Sequence, residues 1–250
     1  MRTLHKSGFA AAIVLGVMGS ALAQQQPFPL PPKDWPPPAM DMQPFTFLVA
    51  DRLEYRSQSG PDLLVWDAQG WVGGDRDKFW LKTEGETEAG GRTERAEAQL
   101  LYARRIAPFW HVQAGFRRDS RLGIGRNSAV LGLQGLAPYW FSVEAMLFGD
   151  RRGLSGRLEF ETDLRMTQRL ILQPRFETQF AGYTDRERGS GSGIEEVEVG
   201  LRLRYEVRRE FAPYIGVDWA RSVGETASLA RSRGESTRAT SVVLGVRVWY

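Results

Sequence analysis

Side chains in this chain alternate between apolar and polar for a dozen residues at a time. Thr240, Val242, Leu244, Val246, Val248 and Tyr250 fall on one face of the last segment, and Ser241, Val243, Gly245, Arg247 and Trp249 on the other. Upstream, Val197, Val199, Leu201, Leu203, Tyr205 and Val207 oppose Glu196, Glu198, Gly200, Arg202, Arg204 and Glu206. A period of two means extended backbone, whose successive side chains point to opposite faces. Strands of soluble domains are usually about 5–6 residues long. A tilted strand that crosses a bilayer needs about 9–11.

Twelve such segments are expected, at about 45–55, 62–73, 78–86, 93–106, 109–118, 127–136, 139–148, 153–165, 169–182, 194–208, 211–221 and 239–250. Pro174 is a fault inside the ninth, of the kind a bulge accommodates. Connections after even-numbered strands are tight, as in Gly73-Gly74-Asp75-Arg76 and Ala107-Pro108. After odd-numbered strands, 87–92, 119–126, 183–193 and 222–238 read as longer polar loops. Short turns at one end and long loops at the other mark a closed antiparallel transmembrane β-barrel of the outer-membrane type. The fold class is therefore all-β, with residues 45–250 forming the barrel. The repeated Ala107-Pro108-Phe109-Trp110, Ala137-Pro138-Tyr139-Trp140 and Ala212-Pro213-Tyr214-Ile215 each open a rising strand and are expected to set aromatic rings at one membrane interface. The chain ends on Tyr250, and a terminal aromatic resembles the finish of bacterial outer-membrane barrels.

Residues 1–23 read as a secretory signal peptide. Arg2, His5 and Lys6 form a basic start, an apolar run covers Phe9 to Val17, and Ala21-Leu22-Ala23 gives a small-x-small cleavage pattern. Residues 24–44 hold eight prolines and are expected to form an extended periplasmic tail. Both termini are then periplasmic. The absence of Cys excludes disulfides and thiolate metal sites. With 33 Lys+Arg against 30 Asp+Glu, charge gives no reason to expect a nucleic-acid partner. Outward loops carrying Asp150-Arg151-Arg152, Arg186-Glu187-Arg188 and Arg231-Ser232-Arg233 could meet lipopolysaccharide phosphates. Gly123-Ile124-Gly125 reads as loop, and Gly189-Ser190-Gly191-Ser192-Gly193 as a flexible tip.

Further residues carry a resemblance. Phe45-Thr46-Phe47-Leu48-Val49-Ala50-Asp51-Arg52-Leu53-Glu54-Tyr55, Trp66-Asp67-Ala68-Gln69-Gly70-Trp71, Gln134-Gly135-Leu136-Ala137-Pro138-Tyr139-Trp140-Phe141 and Gly200-Leu201-Arg202-Leu203-Arg204-Tyr205 are similar to segments of the copper resistance protein B family. The resemblance spans about 45–250. It implies an outer-membrane barrel that helps cells survive excess copper and is usually encoded with a periplasmic multicopper oxidase. The expectation set on it is a non-enzymatic barrel that binds or moves copper ions together with that oxidase. That family commonly carries a Met- and His-rich stretch before the barrel, and here only Met40-Asp41-Met42 stands in that place.

Soft thioethers suit Cu(I), and imidazole is a borderline ligand. Outside the leader the candidates are Met40, Met42, Met146, Met166 and His111. Trp110 and Val112 occupy the apolar face, which turns His111 inward. Met40, Met42, His111 and Met166 are expected at the periplasmic mouth and form the candidate copper site. Met146, some six residues up its strand, is expected about 20 Å above that level at ~3.3 Å per residue. Acids and arginines mix on the lumen face, among them Asp67, Lys82, Glu84, Glu97, Arg157 and Arg175, and read as a salt-bridged interior. The same rows fit a general small-solute channel without metal preference. A lipase would need a Ser beside His111, and the nearest one on an adjacent strand, Ser128, lies toward the opposite end.

The chain is expected to fractionate with outer membranes and to change gel mobility on boiling, because a closed hydrogen-bonded barrel resists detergent. Recovery as a soluble periplasmic protein would sink the barrel reading.

Overall fold

The computed structural model describes residues 44–250 apart from Arg92. The expected signal peptide, almost all of the proline-rich segment, Met40 and Met42 fall outside the described residues. The strands are β1 (Phe45–Gln58), β2 (Leu63–Gly73), β3 (Asp77–Glu88), β4 (Thr93–Ala107), β5 (Trp110–Arg121), β6 (Ile124–Ala137), β7 (Phe141–Gly149), β8 (Leu154–Thr162), β9 (Leu164–Arg165), β10 (Leu170–Ala181), β11 (Gly193–Tyr205), β12 (Phe211–Ser222) and β13 (Arg238–Trp249). Each pairs antiparallel with its neighbours, and β13 pairs back onto β1 from Val49↔Trp249 to Gln58↔Ser241. The sheet is therefore a closed barrel, and among the described strands only the two-residue β9 has a ladder on one side alone, with β10.

β8 and β9 are one stave interrupted at Asp163, so twelve staves close the wall. The interruption has a cause on the next strand. β10 pairs Leu172 with Leu164 and Arg175 with Glu161, and the ladder lapses opposite Gln173 and Pro174. Pro174 has no N–H to donate. The register on either side is unchanged, so a gap takes the place of the expected bulge.

Outward faces are apolar. Leu48, Leu81, Leu100, Phe116, Leu131, Leu201 and Leu244 are exposed, whereas Arg52, Glu97, Gln113, Arg157, Arg175 and Arg202 are buried. This inverts a soluble core and matches a protein with lipid outside. No helix among the described residues is long and apolar enough to cross a membrane.

Exposed aromatic rings gather at the short-turn end: Phe45, Phe79, Phe109, Tyr139, Trp140, Phe211 and Tyr250. Two of the three Ala-Pro repeats contribute to this belt. The third does not, because Pro213 already lies inside β12, and the strand's parity turns Tyr214 into the lumen, where it is 7 % exposed.

Loop asymmetry is narrower than expected. The supposed loop 119–126 is a two-residue turn, Leu122-Gly123, both with positive φ (53° and 80°). That is the handedness a tight hairpin favours. Ile124 and Gly125 accordingly belong to β6. Length is concentrated in 182–192 and 223–237, and the second carries a helix that the sequence reading missed, α1 (Gly224–Ser232). The glycine-serine run packs against α1 instead of forming a free tip: Gly191 N donates to Thr226 Oγ1 at 2.9 Å, and Ser192 N and Oγ donate to Glu225.

The seam between β1 and β13 continues to the last residues. Leu48 and Tyr250 exchange both backbone hydrogen bonds, at 3.0 and 2.8 Å, and the Trp249 indole donates to Arg209 O at 2.6 Å. Deleting Trp249 and Tyr250 is expected to block assembly, whereas trimming 226–234 leaves insertion intact; heat-shifted gel mobility after refolding reads both. Normal insertion of the two-residue truncation would contradict this account of the seam.

The charged lumen as the candidate functional site

β1 shows how the lumen is built. Val49 points inward, 2 % exposed, and so do Arg52, Glu54 and Arg56, so odd positions give way to even ones along one strand. The switch is a one-residue bulge: Ala50 pairs with Ala68 and Val248, and the ladder resumes at Arg52↔Asp67 and Leu53↔Val246. Two residues oppose one at a bulge. Asp51 and Arg52 both reach the interior, where Asp51 accepts from Gln69 (2.9 Å) and Arg247 (2.8 Å). Arg52 donates twice to Asp67, at 3.2 and 2.8 Å.

From β1 the ion pairs cross the lumen. Arg202 grips Glu54 at 2.6 and 3.2 Å and touches Asp218 at 3.4 Å. Arg56 joins Glu54, Asp218 and Glu198 at 2.9, 3.3 and 3.3 Å. The Tyr214 hydroxyl donates to Glu54 at 3.1 Å. Arg175 holds Glu159 in a two-pronged contact at 2.9 and 2.8 Å and also meets Glu177 and Glu198. Arg157 pairs with Glu84 and Glu97, and Arg117 meets Glu97 at 2.6 Å. Planar guanidinium suits these paired contacts better than ammonium does, consistent with four Lys among the 33 cations.

Below this mesh, toward the short turns, lies a cavity of about 220 Å³ lined by seven carboxylates and six cations, among them Asp51, Asp67, Glu144, Lys82, Arg157 and Arg247. Lys82 spans part of it to Glu144 at 2.5 Å and Gln134 at 3.2 Å. A wider space of about 620 Å³ opens toward the long loops. Loop 182–192 reaches in over it: Arg188 pairs with Asp119 on β5, and Asp185 with Arg126 on β6 and Arg152. Burial pushes the Asp185 carboxyl up, but the Arg126 hydrogen bond and charge, aided by Arg152, outweigh it and hold the group below the ordinary carboxylate range.

The candidate ligands are placed unevenly. His111 is half-buried and inward on β5, between Arg105 and Gln134 by register, and its Nε2 has no protein partner. Met166 sits in the β9–β10 turn at the same end, 63 % exposed. β6, β7 and β8 stand between the two along the wall. Met146 lies much closer to the His111 level than strand counting suggested. His111 pairs with Gln134, Gln134 with Glu144, and Met146 is one inward step further along β7. Strand stagger explains the difference, since β6 runs past the start of β5 before turning. Met146 is packed with Leu101, Val130 and Phe148 in an apolar patch, opposite Gly132, where a Cβ would stand 2.3 Å from its sulfur. Ser128 pairs with Arg117, six residues along β6 from the partner of His111. Among the described residues no three His, Cys, Asp or Glu side chains group to hold a metal ion.

Residues 44–250 match the family described as Copper resistance protein B precursor (CopB). The chain belongs to that family. It is 43 % identical over 204 residues to "Copper resistance protein B" of Escherichia coli, covering 81 % of this chain and 69 % of that one. It is 44 % identical over 206 residues to "Copper resistance protein B homolog" of Pseudomonas syringae pv. tomato, covering 82 % and 70 %. Among solved structures, the KdgM porin is 11 % identical with a TM-score of 0.46, covering 81 % of this chain and 98 % of that one. As a member of this family with a lipid-facing apolar wall and closed strand pairing, the chain is an outer-membrane β-barrel protein. The sequence reading of a salt-bridged interior named many lumen residues on β2 to β11 but none on β1, nor Asp218 or Tyr214 on β12.

Removing one partner of a buried ion pair leaves an uncompensated charge, at a cost of about 3–5 kcal/mol. Arg202→Met is expected to lower stability by roughly that much in urea unfolding from lipid vesicles. Adding Glu54→Gln is expected to recover part of the loss. A double variant no more stable than Arg202→Met would contradict the pairing.

Proposed function

We propose that this barrel binds copper at the short-turn, periplasmic end of its lumen, as one part of a copper-resistance system that includes a periplasmic multicopper oxidase. Family membership over 44–250 is the observation that carries this reading. On it, residues 1–23 direct export and 24–44 form a periplasmic tail bearing Met40 and Met42, of which Met42 precedes β1 by three residues. Thioethers are the softest donors in this chain and the ones best matched to Cu(I). His111 adds an inward imidazole whose Nε2 has no protein partner, and Met166 a thioether at the same end. With so few ligands the role is handover of about one ion, and not storage. Hard carboxylates in the adjoining cavity are near balance with cations, so charge alone does not make it a cation filter. That balance also favours a second reading, a small-solute channel in which copper has no privileged place.

Copper binding to the refolded mature chain, with Cu(I) and Cu(II) compared, separates the two. Met40→Leu with Met42→Leu keeps size and apolarity, so assembly is expected to persist while Cu(I) binding and cellular copper tolerance both fall. His111→Ala is expected to lower both further. Equal binding and tolerance in the double Leu variant, with solute conductance that ignores copper, would replace the copper site with the channel.

A further inference from the structure

The long-loop half of the lumen contains a separate feature. Between the two larger cavities lies a small space of about 60 Å³, walled by Arg95, Arg117, Arg121, Arg126, Arg157 and Arg188. Two carboxylates, Asp119 and Glu195, share the same wall. The other acids that pair with these arginines, Glu84, Glu97, Asp150 and Asp185, do not line it. Arg95, Arg117, Arg126 and Arg157 are thus engaged by acids outside the lining, while Asp119 meets Arg117 and Arg188 and Glu195 meets Arg121 within it, which leaves six cations against two carboxylates around the space.

Donors also outnumber acceptors here. Nε of Arg117, Arg157 and Arg188 is buried with no hydrogen-bond partner, and Arg157 and Arg188 are 4 % and 8 % exposed. Buried donors left unmatched are costly, and guanidinium is the side chain best shaped to give two parallel hydrogen bonds to an oxyanion. Phe148 contributes to keeping like charges together, with the Arg117 guanidinium 4.0 Å and the Arg157 guanidinium 6.0 Å from its ring centroid. Arg121 has the loosest pairing of the six, 4.0 Å to Glu195. It is the group with most freedom to turn toward a ligand.

We propose that this arginine chamber is a binding site for a small inorganic oxyanion of the phosphate type, held inside the lumen beneath loop 182–192. The loop completes the site, because Arg188 and Tyr183 come from it and Arg188 borders both this chamber and the outward space. A bound oxyanion supplies the missing acceptors and offsets the charge of the chamber wall. Strand walls separate the chamber from the lipid, so the ligand is a free anion and not a lipopolysaccharide phosphate.

The test is calorimetric titration of inorganic phosphate into the refolded, detergent-solubilised barrel at low chloride, with heat-shifted gel mobility as the check of folding. One phosphate per chain is expected. Arg121→Gln is expected to weaken binding roughly tenfold, the scale of one charge-assisted hydrogen bond. Arg121→Lys keeps the charge without the planar fork, so it spares the fold where Gln disturbs it and is expected to weaken phosphate by less. Arg247→Gln, at the short-turn end, is expected to leave binding unchanged. Absence of phosphate binding to the unaltered barrel, or equal loss in the Arg121 and Arg247 variants, would overturn the site.

Discussion

Closure of the hydrogen-bonded wall is the constraint on which everything else depends. Lipid offers backbone N–H and C=O groups no partner, so a chain crossing it with strands must pair each strand on both sides. The β1–β13 seam completes that requirement and reaches the last two residues. Once the wall is closed, side chains have two destinations only, lipid or lumen. Leu, Val and aromatic side chains take the first, and the charges are left with the second.

Charges placed there cannot be dispersed into bulk water, and the structure answers with arginine. Guanidinium reaches two or three carboxylates at once, as Arg56 does with Glu54, Asp218 and Glu198. The resulting mesh ties strands far apart in sequence, so stability and lumen shape are one property. Departures from regular strand geometry tune it. The Asp51 bulge sends two adjacent charges inward, and the Pro174 gap divides a stave while preserving its register.

The lumen is not uniform along its length. Near the short turns acids and cations are close to balance, and the unpartnered His111 nitrogen lies at that end. Toward the long loops the wall of the narrow chamber is dominated by arginine. A copper ion handled at one end and an anion held at the other would then occupy different electrostatic environments of a single barrel.

Sequence alone determined the all-β class, the strand count and, for most strands, which face meets lipid, because period-two alternation encodes facing directly. It also carried the family, through segments such as those at 45–55 and 134–141. It could not show that Arg52, Glu54 and Arg56 line the lumen, since a bulge shifts parity without leaving a mark in composition. The Ala-Pro pattern points Tyr214 to the interface and the structure turns it inward for a related reason: whether a ring points in or out depends on where its strand starts. The level of Met146 relative to His111 depended on stagger between neighbouring strands, which no single segment contains. Loop 182–192 reads as polar and flexible, yet Arg188 and Asp185 are held by Asp119 and Arg126 from strands some sixty to seventy residues earlier in the chain. Local pattern fixes what a strand presents; only the closed wall decides which charges come face to face, because that depends on register summed around the whole barrel.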